Sequence, residues 1–197
     1  MYKTRPKVLI VDNFDSFTWN IFHLVTSCDS RACVVRNDSI DCFEVKKGGY
    51  SHVILGPGPR RPEDSGASPE ILKSFAGRIP VLGICLGMQI MAHISGGNVK
   101  KSSPLHGKTE KIYHEGETVF KKLPSPFSAA RYNSLSVIEP GEHFKVTARN
   151  ENGVIMGLSH DKLPCVNGVQ FHPESFMSEY GRQIMLNFLE QSPEKPL

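Results

Sequence analysis

Over the first half of the chain, short unbroken apolar runs alternate with stretches where apolar residues recur every third or fourth position. Residues 7–11, 32–36, 52–55 and 79–84 are runs of the first kind. They read as strands of a parallel sheet, because a strand covered on both faces shows no polar side. Residues 17–26 place Phe17, Ile21, Leu24 and Val25 at helical spacing, with Asp15 or Ser16 available as N-cap. A weaker helix within 40–47 stops at Gly48-Gly49. Further helices are expected at 68–76 and at Leu86–Ile94, the latter stopped by Gly96-Gly97. The segment 56–65 between the third strand and third helix is rich in Gly and Pro. This alternation implies βαβ units and an α/β architecture: an open, twisted, mostly parallel sheet flanked by helices.

The second half changes period. Short alternating runs at 118–120, 134–138, 144–148, 154–158 and 166–171, separated by Gly and Pro, read as antiparallel strands and hairpins added to the sheet. Residues 178–190, with Ile184, Met185, Phe188 and Leu189 apolar, read as a closing amphipathic helix, and 191–197 as a frayed tail. The expectation is a single domain over 1–197 with its core between about residues 7 and 189.

Composition narrows the function classes. The 197 residues are 39% hydrophobic and 22% charged, ordinary for a globular protein and unlike a disordered chain. The net charge of +3 is spread out, with basic residues clustered no further than pairs such as Lys46-Lys47, Arg60-Arg61 and Lys121-Lys122, so nucleic acid is not an expected partner. No apolar run approaches the ~18–20 residues of a membrane span. The polar start, residues 1–7, does not read as a signal peptide, so the cytoplasm is the expected compartment. Cys28, Cys33, Cys42, Cys85 and Cys165 are odd in number, scattered and without a CxxC pair, which disfavours disulfides and a zinc site. His23, His93, His114, His143 and His160 are also scattered and read as surface or packing residues, so no metal site is expected.

Three segments carry chemistry. In Pro80-Val-Leu-Gly-Ile-Cys85-Leu-Gly-Met-Gln-Ile90, an apolar strand ends at Ile84, a helix begins directly after, and Cys85 occupies the turn between two glycines. That is the layout of a nucleophile elbow with sulfur in place of oxygen. A helix N-terminus stabilises a thiolate there. Alone, Cys85 reads equally as a nucleophile or as a buried residue ending a core strand.

In Gly168-Val-Gln-Phe-His172-Pro-Glu174-Ser175, Pro173 biases His172 toward extended backbone. Residues i and i+2 then share a side, so Glu174 can orient the His172 ring and stabilise its protonated form. A solvated His-Pro turn fits the segment as well. The loop Leu55-Gly-Pro-Gly-Pro59 exposes backbone N–H groups that can hold an anion, or it is a plain surface turn. It lacks a phosphate-loop ending, which disfavours nucleotide binding. All three segments fall at strand ends on one edge of the expected sheet, where sites of open α/β sheets assemble. A thiolate, a His–Glu pair and backbone donors are the parts for acyl transfer through a thioester.

The segments Gly56-Pro-Gly58, Gly83-Ile-Cys85-Leu-Gly-Met-Gln89 and Gly168-Val-Gln-Phe-His172-Pro-Glu174 together resemble the class I (triad) glutamine amidotransferases. Within that family the chain is similar to the glutaminase subunits of anthranilate synthase and aminodeoxychorismate synthase. Val11-Asp-Asn-Phe-Asp-Ser-Phe-Thr18, His106-Gly-Lys-Thr109 and Arg131-Tyr-Asn-Ser-Leu135 carry this closer likeness, which runs from about Lys7 to Leu189.

The resemblance implies a flavodoxin-like sheet, Cys85 as nucleophile, His172 as base and Glu174 as its orienting carboxylate. It places an oxyanion hole at the backbone N–H groups of Gly58 and Leu86. It also implies that L-glutamine is held by Gly56, Pro57, Gly58, Gln89, Ser134 and Leu135, with residues 106–109 and the loop after the first strand turned toward a partner. That partner would be a chorismate-using synthase subunit on another chain, using Mg, with no cofactor in this chain. Two departures stand out. Asn133 replaces the family's histidine before Ser-Leu, and the loop Pro59-Arg-Arg-Pro-Glu-Asp-Ser-Gly66 is longer than the common form.

Other features read blandly. Asp12 and Asp15 fit capping after the first strand better than a metal or acid pair, and Phe171 and Phe176 read as core. A stand-alone thiol hydrolase of similar fold is the alternative to a glutaminase. Phe17-Thr-Trp-Asn20, Arg36-Asn-Asp38 and Ile155-Met-Gly157 lean toward the folate rather than the tryptophan branch.

Overall fold

The computed structural model describes residues 5–102, 104 and 107–193. Its first half follows the expected alternation: β1 (Lys7–Asp12), α1 (Thr18–Ser27), β2 (Arg31–Arg36), α2 (Cys42–Gly48), β3 (His52–Leu55), α3 (Ser68–Phe75), β4 (Val81–Ile84) and α4 (Leu86–Ile94). Then come β5 (Asn98–Lys101), β6 (Lys108–His114), β7 (Phe127–Arg131), β8 (Leu135–Glu139), β9 (Phe144–Asn150), β10 (Ile155–His160), β11 (Val166–Val169) and α5 (Gly181–Leu189). A nine-stranded sheet runs β2-β1-β3-β4-β11-β10-β9-β6-β7. Strands from β2 to β11 pair in parallel, and those from β11 to β7 antiparallel. The order 2-1-3-4 followed by β11 is the flavodoxin-like arrangement.

Alternation along β1 shows how both faces are covered. Val8 and Ile10 pack with Ile21 and Val25 of α1 and Ile184, Met185 and Phe188 of α5. Leu9 and Val11 pack on the opposite face with Val45 of α2, Ile71 and Phe75 of α3 and Met88 of α4. A strand sandwiched this way needs an apolar residue at every position, the pattern its sequence displays. α2 is closed at its start by a capping box, Asp41 with Glu44, and at its end by left-handed Gly49.

The second half differs from expectation in five places. Thr118–Phe120 is a 3-10 turn, not a strand: Val119 and Phe120 are buried, and Asn187 of α5 donates to the Val119 and Lys121 carbonyls. The run 134–138 forms β8, which pairs with β5 in a separate two-stranded sheet. β5, β6 and β7 had no individual counterpart in the expected runs. β5 and β6 are polar and largely exposed, and β7 carries small residues, so none shows a marked hydrophobic alternation. The last helix begins at Gly181 and not at 178. Ser178 and Glu179 instead bind β7 backbone at Ala130 and Ser128, and Tyr180 turns the chain with a φ of 58°. Gln191, placed in the expected frayed tail, is held instead: its side chain accepts a 3.1 Å bond from Asn167 Nδ2, and 194–197 lie outside the described residues.

Neither Asp15 nor Ser16 is the helix cap. Phe17 holds that position, and the turn closes on Asp12, whose Oδ1 accepts from Asp15 N (3.1 Å) and Thr18 Oγ1 (2.7 Å). Asp12 and Asp15 thus organise the turn into α1, as the sequence suggests. No helix among the described residues is long and apolar enough to cross a membrane.

Candidate active site

Cys85 sits between β4 and α4 with φ 54° and ψ −102°, a conformation that costs a non-glycine residue energy and persists only where its surroundings impose it. Two contacts do so here. Cys85 N donates to Val169 O of β11 at 2.8 Å. Gly87 passes so close to β3 that an added Cβ would lie 2.2 Å from Leu55 O. The sulfur is thereby lifted out of the sheet at the head of α4, where the helix N-terminus favours an anion.

His172 follows β11 and is 2% exposed. Its N–H donates to Ala130 O of β7 at 3.0 Å, and its carbonyl accepts from Ser178 Oγ at 2.6 Å. Phe17 and Tyr132 pack against the ring, with centroids 5.4 and 5.0 Å away. Nδ1 pairs with Glu174 Oε1 at 2.6 Å, and the carboxylate side chain is wholly buried. Nε2 is buried without an ordinary hydrogen-bond partner, which leaves it to the Cys85 sulfur alongside. Burial by itself would push the imidazole pKa down. Cys85 and Glu174 together outweigh it and hold His172 well above its ordinary value. The geometry thus favours the protonated form of the buried His172 ring.

Cys85 and His172 open onto a cavity of about 350 Å³, also lined by Gly58, Gln89, Ser134 and Leu135, together with Phe17, Arg60, Tyr132 and Asn133. The structure therefore brings together most of the residues picked out from the sequence. Gly56 and Pro57 are buried behind the lining and do not border it. The backbone of Gly58 runs so close to β1 that a Cβ would lie 2.6 Å from Asn13 O. Leu86 is the first residue of α4, so its N–H has no acceptor within the helix and is available to an anion beside Cys85.

The Gly56–Gly58 bend is fixed by Asn13. Its Nδ2 donates to Gly56 O at 2.8 Å, while its Oδ1 accepts from Asn37 Nδ2 (2.9 Å) and Ser68 Oγ (2.8 Å). One buried carboxamide thus ties the ends of β1, β2 and β3 to the start of α3. Across the cavity, Arg131 Nη1 pairs with Glu110 Oε2 at 2.5 Å, and Arg131 Nε donates to Asn133 Oδ1 at 3.0 Å. Asn133 Nδ2 then donates to Leu135 O at 2.7 Å. The residue at this departure from the family pattern is therefore a brace for the 133–135 turn.

The long loop after Gly58 folds into a 3-10 turn at Pro62–Asp64, and Arg60 lies over the Phe14 ring at 5.8 Å at the mouth of the cavity. Phe171 is core, as expected; Phe176 is not, being 95% exposed just beyond Glu174. Of the other cysteines, Cys28 and Cys165 are buried and Cys33 and Cys42 half-buried, all without disulfides. His106 lies outside the described residues.

Asn13, Phe17 and Tyr132 belong to the motifs quoted above, yet sequence reasoning gave them no role at the site. For Asn13 a signal existed: a polar residue at the end of an apolar strand, facing a glycine loop. Nothing in the local pattern shows that Phe17 and Tyr132, far apart in the chain, meet over His172.

Residues 9–192 match the family model described as glutamine amidotransferase class-I. The chain is 44% identical over 188 residues to anthranilate synthase component 2 of Pyropia yezoensis, covering 94% of this chain and all of that protein. It is 42% identical over 187 residues to aminodeoxychorismate/anthranilate synthase component 2 of Bacillus subtilis (strain 168), covering 93% of this chain and 95% of that one. Among solved structures, a proposed GMP synthase subunit of Thermoplasma acidophilum superimposes with a TM-score of 0.85 at 25% identity, over 95% of this chain and 94% of that one.

Proposed function

Because the chain belongs to the class-I glutamine amidotransferase family, we propose that it is the glutaminase subunit of a chorismate-using synthase, with Cys85, His172 and Glu174 as its catalytic triad. The Cys85 thiolate attacks the side-chain amide carbon of L-glutamine, and the electron pair of the C=O bond moves onto oxygen. That oxyanion is held by the backbone N–H groups of Gly58 and Leu86. As the carbonyl re-forms, the C–N bond breaks and protonated His172 gives its proton to the departing nitrogen, releasing ammonia. Neutral His172 then takes a proton from water, the resulting hydroxide attacks the thioester, and glutamate leaves as the thiolate returns. Glu174 keeps the ring oriented and stabilises its charged form throughout. Gln89, Ser134 and Leu135 line the place where glutamine would lie, and this chain supplies no cofactor to the reaction.

The observation that carries this reading is the buried His172–Glu174 pair beside a sulfur held in an elbow, all on one cavity. Two exposed aromatic rings support a partner chain: Phe14 and Phe176 stand on the two loops that supply Phe17 and His172 to the cavity. The partner would receive ammonia and aminate chorismate, giving either the anthranilate or the aminodeoxychorismate product, and would be the chain that uses Mg.

The Cys85→Ser variant tests the assignment. It should lose glutamine-dependent product formation with the partner present while added ammonium salt still supports it. Full glutamine-dependent activity in that variant overturns the reading. Capture of the partner, followed by identification of its product, decides between the two branches.

A further inference from the structure

Gln170 lies between β11 and His172 and is fully buried. A buried carboxamide is costly unless its hydrogen bonds are made, and an apolar side chain of similar size would fill the same space at no such cost. Its partners indicate why an amide is there. Gln89 Nε2 donates to Leu135 O at 3.0 Å and to Gln170 Oε1 at 3.2 Å, which occupies both of its N–H bonds. The oxygen of Gln170 must therefore face Gln89, and its NH₂ group must face the other way. There Nε2 lies 3.5 Å from Cys85 Sγ. The orientation is set by the network and leaves the sulfur as the acceptor.

We propose that Gln170 is a catalytic residue: its side-chain N–H donates to the Cys85 sulfur and selects the thiolate, the form that attacks glutamine. A neutral thiol is a poor acceptor, whereas a sulfur anion accepts strongly, so a fixed donor here favours moving the Cys85 proton onto His172 Nε2. The donor is aimed by a chain of bonds that begins at Glu110, passes through Arg131 and Asn133 to Leu135 O, and reaches Gln170 through Gln89. The same links that shape the glutamine-binding wall thus also hold the nucleophile's partner. The proposal rests on Cys85 being the nucleophile.

The test is the rate of Cys85 alkylation by iodoacetamide against pH, read on the Cys85 peptide by mass spectrometry so that Cys33 and Cys42 do not contribute. Besides Gln170, the groups facing the sulfur are His172, backed by Glu174, with Asp15, Arg60 and Tyr132 on the same cavity. In Gln170→Met, alkylation at neutral pH should slow roughly tenfold or more, because a hydrogen bond to a charged group is lost. The whole profile should move to higher pH, and kcat should fall more than KM changes.

A Gln170→Met alkylation profile that overlays that of the unaltered protein overturns the proposal. In the unaltered chain, a Gln170 side-chain amide resonance that follows the Cys85 titration supports it, and one that does not follow overturns it, whether or not that variant folds. The two readings fail separately: full glutaminase activity in Cys85→Ser sinks both, whereas an inactive Cys85→Ser with an unmoved Gln170→Met profile sinks only this one.

Discussion

His172 has to hold a proton in a place where burial alone would remove it. The ring is 2% exposed, and its charge is sustained by Cys85 and by the fully buried Glu174 carboxylate. Removing that carboxylate therefore lowers the His172 pKa. The rate of a thiolate–imidazolium pair falls at high pH when the imidazolium loses its proton. In Glu174→Gln the alkaline limb of kcat/KM should move to lower pH, and kcat should drop by roughly 10²–10⁴, the scale seen when the orienting carboxylate of a hydrolase triad becomes an amide. A steady-state pH profile checks both, and an unmoved alkaline limb would show that Glu174 does not support the charge.

Between elements, hydrogen bonds from single side chains decide where loops stand. Asn13 ties Gly56 O to β2 and α3, so Asn13→Ala should let the Gly58 N–H drift from the oxyanion position. A displacement of about 1 Å can cost up to 10²-fold in rate. The expected result is a fall in kcat of roughly 10–100-fold with Cys85 alkylation unchanged, since the thiolate's own partners remain. Equal loss in both measurements would refute it.

On the other wall, the Glu110–Arg131 pair is nearly buried. Replacing Arg131 with Met leaves Glu110 without its opposite charge, held only by Asn150 Nδ2 at 2.9 Å, and should cost about 3 kcal/mol in urea denaturation. The double variant Arg131→Met with Glu110→Leu should recover much of that stability, because two apolar residues leave no charge uncompensated. It should not recover activity, since the Asn133 brace is still missing.

For the molecule as a whole, His52 on β3, buried against Phe188 of α5, makes stability depend on pH. Burial lowers its pKa from 6.5 to about 4. Below pH 6.5 the unfolded chain binds a proton at this site that the folded chain refuses, so stability falls as pH drops from 6.5 toward 4. The shift amounts to about 3 kcal/mol once pH is below both values. His52→Leu should flatten this part of the stability curve in denaturant melts between pH 4 and 7, and an unchanged slope would remove His52 as the cause.

The unbroken apolar runs at β1, β3 and β4, the glycines around Cys85 and the His-Pro-Glu segment were legible along the chain because each rests on local physics. A strand covered on both faces must be apolar throughout, an elbow must have room, and residues two apart in extended backbone share a side. That determined the parallel half of the sheet, the candidate nucleophile and its His–Glu neighbours, and the end of the sheet on which they meet. β5, β6 and β7 were not legible, since edge or half-solvated strands take their stability from pairing more than from their own pattern. Phe176 was misjudged for a related reason, as apolar character does not say which side of a loop faces water. Only the tertiary structure decided that Phe17 and Tyr132 close over His172, that Asn13 holds the Gly56–Gly58 loop, and that Gln170 points its donor at Cys85. Those contacts join residues tens of positions apart, and a bond between two buried amides is set by the packing that brings them together.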